Sequence, residues 1–210
     1  MSSIIEVLKE VVDDKYIHAC NKSVITLSET GKDSTCGTIT LQKTGRIKQV
    51  LVLDTDLEGD NIHPFLIEKE KSEYKKGPLK NLRKKVDYLM FCELENEDKT
   101  LTTYIFPIEL KSGNQQDWHR QAKAGYTFAQ YLVGFVEVQQ KVNFSLPNSG
   151  NKLEYRCILF SSNTSQPRAL RRKPKLKTIQ GTEYVEHPIY QYQHSRKKCG
   201  ERYFIESFIN

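Results

Sequence analysis

The sequence VDYLMFCELENEDKTLTTYIFPIELKSG, residues 86–113, decides the predicted fold. Val86–Cys92 is an apolar run with one acidic residue near its start, and Leu101–Leu110 is rich in β-branched and aromatic residues. Both runs are typical of buried strands, and the polar connection Glu93–Thr100 between them predicts a hairpin. After Gly113 the apolar residues recur with the period of a helix. We therefore expect two antiparallel strands followed by a helix.

The segments on either side of this stretch add one helix and several strands. Ser3 and Glu6 have the spacing of a capping box and predict a short N-terminal helix. Further predicted strands are Ser23–Leu27, Thr38–Gln42, Ile47–Leu53, Leu153–Ser161 and Tyr203–Ile209. The order helix, strands, helix, strand predicts an α/β or α+β domain with a mixed sheet.

The length and composition fit one folded domain. The chain has 210 residues, of which 38% are hydrophobic. We divide this domain into an N-terminal helix and strands (1–78), a core (79–161) and a basic, aromatic C-terminal part (162–210). No segment resembles a signal peptide or a transmembrane span, so no membrane partner is expected. The five cysteines are scattered without Cys-x-x-Cys spacing, which favours free thiols in the cytoplasm.

The positive charge is concentrated in two stretches. The net charge is +6, and residues 75–85 form the first stretch. The second consists of Arg168, Arg171, Arg172, Lys173, Lys175 and Lys177. Such clusters neutralise phosphates and release counterions, so they indicate a nucleic-acid surface. A solvated surface without a ligand is the alternative.

Glu109 and Lys111 carry the candidate chemistry. Residues two apart on a strand share a face, so their side chains lie together while Leu110 points to the opposite face. Asp87 lies 22 residues earlier, a separation that one hairpin bridges. Two carboxylates and the Leu110 backbone carbonyl would form an oxygen site suited to Mg²⁺ or Mn²⁺. A cross-strand ion pair without a metal is the alternative.

This arrangement resembles the PD-(D/E)XK nuclease superfamily. The resemblance covers about residues 80–131 and rests on Asp87, then Ile108–Gly113, then Gln121 ten residues after Lys111. It is similar to members found in bacterial restriction and defence systems. It implies a restriction-endonuclease-like mixed sheet flanked by helices, with extra N-terminal strands.

The resemblance also implies an activity and a set of roles. Asp87, Glu109 and the Leu110 carbonyl would bind the metal, Lys111 would be catalytic, and Gln121 would support the site. The chain would be a Mg²⁺-dependent endonuclease acting on DNA, with a homo-oligomer or a partner protein of a defence system as further expectations. A catalytically inactive nucleic-acid-binding or regulatory module on the same fold is the alternative function.

Two positions differ from the pattern of that family. Val86 stands where the family has proline, and the acidic residue expected on the first helix has two candidates, Glu6 and Glu10. A separate acidic segment, residues 54–60, begins like a calcium loop. It has Phe65 at the position of the bidentate glutamate, so we interpret it as a charged surface loop.

Overall fold

The computed structural model describes residues 3–21, 23–29, 37–57, 85–111, 118–144, 151–163, 176–177, 189–195 and 201–209. The helices are α1 (Ile4–Val11) and α2 (Trp118–Gln140). The strands are β1 (Cys20–Asn21), β2 (Val24–Ser28), β3 (Thr38–Gln42), β4 (Ile47–Asp54), β5 (Tyr88–Glu95), β6 (Leu101–Lys111), β7 (Asn151–Tyr155), β8 (Cys157–Asn163), β9 (Leu176–Lys177), β10 (Ile189–Ser195) and β11 (Glu201–Phe204). Short 3₁₀ turns span Asp14–Tyr16 and Ile205–Phe208.

The strands form two mixed sheets. The larger sheet has the order β4-β5-β6-β8-β10-β9. Strand β7 pairs with the first half of β6, and β8 pairs with its second half. Strands β4, β5 and β6 form an antiparallel meander, whereas β6, β8 and β10 run parallel. The smaller sheet has the order β1-β2-β3-β11, with β11 parallel to β3. The fold is therefore mixed α+β, as the order of elements predicted.

The larger sheet is covered on both faces near its centre. Met90 and Cys92 of β5 share a buried cluster with the smaller sheet, whereas Leu89 and Phe91 pack with residues of α1 and α2. Burial on both sides explains why β5 reads as a continuous apolar run rather than an alternating one.

The N-terminal helix begins as the sequence predicts. The Ser3 side chain accepts hydrogen bonds from the backbone of Ile5 and Glu6, and Glu6 accepts one from the Ser3 backbone. The Ser3 hydroxyl also donates to the buried carboxylate of Glu93 on β5. The capping box therefore both starts α1 and attaches it to the larger sheet.

One predicted strand is divided in two. We expected a single strand over Leu153–Ser161, but β7 and β8 are separated at Arg156. Both keep the same register on β6, where Ile105 pairs with Tyr155 and Ile108 with Ile158. Pro107 lies between these pairs and has no N–H to donate, so the ladder is interrupted beside it.

Two other boundaries were wrong. The connection expected over Glu93–Thr100 is shorter, because β5 continues through Glu95. The last strand was expected over Tyr203–Ile209, but it ends at Phe204 and a 3₁₀ turn follows. Ile205 and Phe208 are both buried, and residues three apart share a face of a 3₁₀ turn but not of a strand.

The long helix α2 contacts the sheet closely at one glycine. A Cβ atom placed on Gly125 would lie 2.8 Å from Val86 Cγ1 and 2.9 Å from Pro107 Cβ. Only glycine permits this approach, which brings the first turns of α2 against the end of β6. Within the part of the chain described, neither helix is apolar enough over a sufficient length to cross a membrane.

Candidate metal centre

The candidate centre lies where β5 begins and β6 ends. Tyr88 pairs with Ile108, and beyond this pair the two strands are no longer joined by the regular ladder. Asp87 precedes β5 directly, and the backbone N–H of Leu110 donates to its Oδ2 atom at 2.6 Å. The aspartate side chain therefore replaces a strand partner for β6 and is fixed beside Glu109.

Glu109 has two donors that contact the same carboxylate oxygen. Lys111 Nζ lies 2.5 Å from Glu109 Oε1, and Gln121 Nε2 donates to that same atom. Gln121 Nε2 also lies 3.3 Å from the backbone carbonyl oxygen of Lys85. The structure thus brings Asp87, Glu109, Lys111 and Gln121 together, as the sequence predicts.

The second carboxylate oxygen of Glu109 is left without a donor. The Glu109 side chain is 2% exposed, and its Oε2 atom is buried with no hydrogen-bond partner among the described residues. The same is true of Gln121 Oε1. Buried oxygens without donors are costly, and a cation, an ordered water molecule or a proton can satisfy them. This donor set fits a hard metal ion.

The Leu110 carbonyl points toward the same side of β6 as Asp87. The N–H and C=O of one strand residue face the same neighbour, and the N–H of Leu110 bonds to Asp87. Because β5 begins at Tyr88, opposite Ile108, no residue of β5 pairs with Leu110. This carbonyl therefore lies on the same edge of β6 as the Asp87 carboxylate, and its role as a metal ligand stays a prediction.

Among the described residues, no group of three or more His, Cys, Asp or Glu side chains lies close enough together to hold a metal ion directly. The centre would therefore rely on two carboxylates and one backbone oxygen, leaving other positions to water and substrate. This is the pattern that Mg²⁺ favours, because it dehydrates reluctantly and is held by one or two carboxylates.

Both carboxyl groups bind protons more tightly than usual. Burial raises the pKa of Asp87 to about 8, and the negative charge of Glu109 adds to the rise. Burial also raises the pKa of Glu109 to about 7, although Lys111 opposes that rise. The buried carboxyl group of Glu109 and the partly buried one of Asp87 thus carry more negative charge than the single ammonium group of Lys111 can balance when both are ionised.

The metal-free protein is expected to lose stability as the pH rises from about 4 toward 8. In this window the folded protein holds protons that the unfolded chain, with a carboxyl pKa near 4, has released. Asp87→Asn removes the main group responsible. When the pH is raised from about 5 to about 8, the free energy of unfolding of Asp87→Asn should rise by roughly 2 to 3 kcal/mol relative to that of the native chain. Urea denaturation in EDTA at both pH values measures this.

Asp98→Asn is the matched control for that measurement. Hydrogen bonds from Thr100 lower the pKa of Asp98, so any stability it contributes is lost only below about pH 4. Between about pH 5 and 8 the free energy of unfolding of Asp98→Asn should therefore change with pH in parallel with that of the native chain. Parallel curves for the native chain and Asp87→Asn would contradict the assignment of a raised pKa to Asp87.

A segment beside the centre contributes a further carboxylate that the sequence interpretation missed. Asp56 pairs with Lys85, with 3.0 Å between Oδ1 and Nζ, and its charge raises the pKa of both Asp87 and Glu109. Residues 54–60 were interpreted as a surface loop, whereas Thr55 is buried. The available signal was the Asp54-x-Asp56 pattern at the end of a predicted strand.

Glu6 lies far from the centre. Its carboxylate bonds to the Ser3 backbone and to Gln49, which pairs with Glu93. Glu93 faces Thr103, six residues before Glu109 on β6, or roughly 20 Å along the strand. Glu6 was therefore wrong as a candidate for the centre. None of the bonds described for the centre involves Glu10.

The predicted nucleic-acid surface falls largely outside the described residues. This applies to Arg168, Arg171, Arg172, Lys173 and Lys175, and only the backbone of Lys177 is described, in β9. Basic groups that the structure does place at the centre are Lys85 and Lys111.

Comparison with known proteins gave no relative. No family model matches the chain, and no curated protein and no solved structure matches it.

Proposed function

We propose that the chain is a Mg²⁺-dependent endonuclease that hydrolyses phosphodiester bonds of DNA, within a restriction or anti-phage defence system. The class of reaction is supported by the geometry at the β5–β6 junction. DNA as substrate and the defence context are supported by the resemblance to PD-(D/E)XK nucleases. In the described part of the chain both helices pack on one face of the larger sheet and the smaller sheet covers the other, which differs from the sheet flanked by helices that the resemblance implies. The mixed α+β class is compatible with the resemblance, and the restriction-endonuclease-like fold is part of this proposal.

The observation that supports the proposal most is the buried, donorless Oε2 atom of Glu109 beside a second, partly buried carboxyl group, that of Asp87. An ion pair between Glu109 and Lys111 alone would satisfy one acid with one base. Asp87 adds a carboxyl group that this pair leaves without a counter-ion. A divalent cation would balance the charge and satisfy the free oxygen.

Each residue of the centre has a role in the proposed reaction. Asp87, Glu109 and the Leu110 carbonyl would hold the ion, and Gln121, which donates to Glu109, would fix the orientation of that carboxylate. Bound Mg²⁺ would supply Lewis-acid polarisation of the scissile phosphate and activation of a water molecule. Lys111 Nζ forms an ion pair with Glu109 Oε1, which holds a cationic group beside the centre. Its role is therefore to orient the water or stabilise transition-state charge rather than to act as a base.

Substrate binding would extend beyond the centre. Arg168, Arg171, Arg172, Lys173, Lys175 and Lys177 are the proposed phosphate contacts. Cleavage of both strands of a duplex would need two such centres, supplied by a homo-oligomer or by a partner protein of the defence system.

Incubation of the purified chain with supercoiled plasmid tests the proposal. Nicking or linearisation is expected with Mg²⁺ or Mn²⁺ and should disappear with EDTA. Lys111→Ala, purified identically, should be inactive, which excludes a contaminating nuclease. Lys152→Ala removes a comparable lysine from an exposed ion pair with Glu154 and should cleave normally.

Parallel reactions with single-stranded DNA and RNA identify the substrate class. Absence of cleavage of every substrate, together with salt-dependent DNA binding that Lys111→Ala leaves intact, would instead establish the inactive binding module.

A further inference from the structure

We propose that Asp56, which pairs with Lys85, is an additional carboxylate of the metal centre and would strengthen binding of the ion without being a direct ligand. The inference rests on the proposed function, since it concerns the same ion. It assigns Asp56 and Lys85 opposite effects on metal affinity.

Asp56 is fixed in place by its neighbour Thr55. The Thr55 backbone N–H donates to the carbonyl of Asp87 at 3.0 Å, and its hydroxyl donates to the carbonyl of Val86 at 2.5 Å. The Asp56 N–H in turn donates to Asp54 Oδ1 at 3.2 Å. The segment after β4 is therefore tied to the backbone that carries Asp87.

Lys85 contacts residues of the same centre through both its side chain and its backbone. Its ammonium group pairs with Asp56, while its backbone carbonyl accepts the hydrogen bond from Gln121, which also bonds to Glu109. Its side chain is 21% exposed, compared with 50% for Asp56, so the carboxylate is the more accessible member of the pair. The network leads from Asp56 through Lys85 to Glu109.

The buried Oε2 atom of Glu109 has no hydrogen-bond donor among the described residues, so it is available to a cation bound at this centre. Asp56 does not complete a direct ligand set with Asp87 and Glu109 in the described part of the chain. Mg²⁺ usually retains several waters, and carboxylates that hydrogen-bond to such waters orient them. A positioning role through water is consistent with both observations.

The two side chains of the Lys85–Asp56 pair would have opposite effects on a cation bound at the centre. The ammonium group of Lys85 would repel the cation, whereas the carboxylate of Asp56 would attract it. Removing the carboxylate should therefore weaken metal binding, and removing the ammonium should strengthen it. An ion pair that only supports the fold would instead weaken metal binding on either removal, and a pair too far from the ion to influence it would leave both affinities unchanged.

Mn²⁺ titration of the full chain, followed by electron paramagnetic resonance of the free ion, tests this inference. Asp56→Asn is expected to bind Mn²⁺ about 10-fold more weakly, the usual size of an outer-sphere effect. Lys85→Gln should bind more tightly by about 3-fold, and Asp56→Glu should retain most of the native affinity. Glu154→Gln and Lys152→Gln break an equivalent ion pair on β7 and should match the native chain.

The outcomes separate this inference from the proposed function. If the native chain binds no Mn²⁺, the metal centre itself is wrong. Mn²⁺ binding that is equal in the native chain and Asp56→Asn overturns the role of Asp56 alone. Equal weakening by Asp56→Asn and Lys85→Gln also overturns it, because that result indicates a structural pair. Should Asp56→Asn fail to fold, unchanged affinity in Lys85→Gln decides against the inference and tighter binding supports it.

Discussion

Replacing Glu109 by glutamine is expected to lower the rate of plasmid cleavage at least about 1000-fold, because bound metal contributes several kcal/mol to transition-state stabilisation. The amide keeps an oxygen that accepts from Lys111 and Gln121, so the local hydrogen bonds persist. It also removes a carboxyl group whose pKa burial raises to about 7, so the metal-free variant should be roughly 1 to 3 kcal/mol more stable than the native chain near pH 7 to 8. Single-turnover cleavage and thermal unfolding with and without Mn²⁺ measure both effects.

Glu93→Gln is the matched control for this substitution. Glu93 is also 2% exposed, but it lies near the opposite end of β5 and accepts from the Ser3 hydroxyl at the start of α1. Burial raises the pKa of Glu93 as well, although the Ser3 hydroxyl opposes that rise, so removing its charge should not cost stability near neutral pH. Cleavage and the stabilisation by Mn²⁺ should persist. If Glu109→Gln retained cleavage within tenfold of the native rate, Glu109 would not be a metal ligand.

The residues of the centre could be predicted because their positions follow from local chain geometry. Side chains alternate between the two faces of a strand, so Glu109 and Lys111 lie on one face of β6, and an antiparallel hairpin brings Asp87 beside them. The helical position of Gln121 was predicted from its spacing after Lys111. Such relations hold within about 35 residues of sequence and depend only on the type of each element.

Relations that depend on tertiary packing could not be predicted in the same way. Asp56 reaches the centre because β4 pairs with β5, so that the segment after β4 lies beside the residues before β5. The sequence between them, residues 58–84, contains no pattern that reveals this pairing. The break at Arg156 likewise depends on Pro107, which belongs to a strand about 50 residues earlier.

The position of Gln121 depends on a glycine one turn further along α2. Gly125 lies against Val86 and Pro107, which flank Asp87 and Glu109 in sequence. A bulkier residue at position 125 would move α2 away from β6, and Gln121 would move with it. The contact therefore links helix packing to the orientation of Glu109.

Gly125→Ala is expected to destabilise the protein by roughly 1 to 3 kcal/mol, although alanine favours a helix more than glycine does. The added methyl group would meet Val86 Cγ1 at 2.8 Å, a distance that requires the helix or the valine to shift. Because Gln121 would lose its position beside Glu109, cleavage should fall about 10-fold or more even where the variant is fully folded. Urea denaturation and cleavage below the unfolding transition measure the two effects.

Gly134→Ala, on the same helix, is expected to have the opposite effect on stability. A Cβ atom at position 134 has nothing within 4 Å, so the variant gains helix propensity without a clash. It should be about 0.5 to 1 kcal/mol more stable than the native chain and should cleave at the native rate. Equal stabilisation by both substitutions would mean that α2 does not contact Val86 and Pro107 closely, and Gln121 would then need another reason to lie beside Glu109. Opposite signs, with activity lost only in Gly125→Ala, would show that the packing of this helix positions the candidate centre.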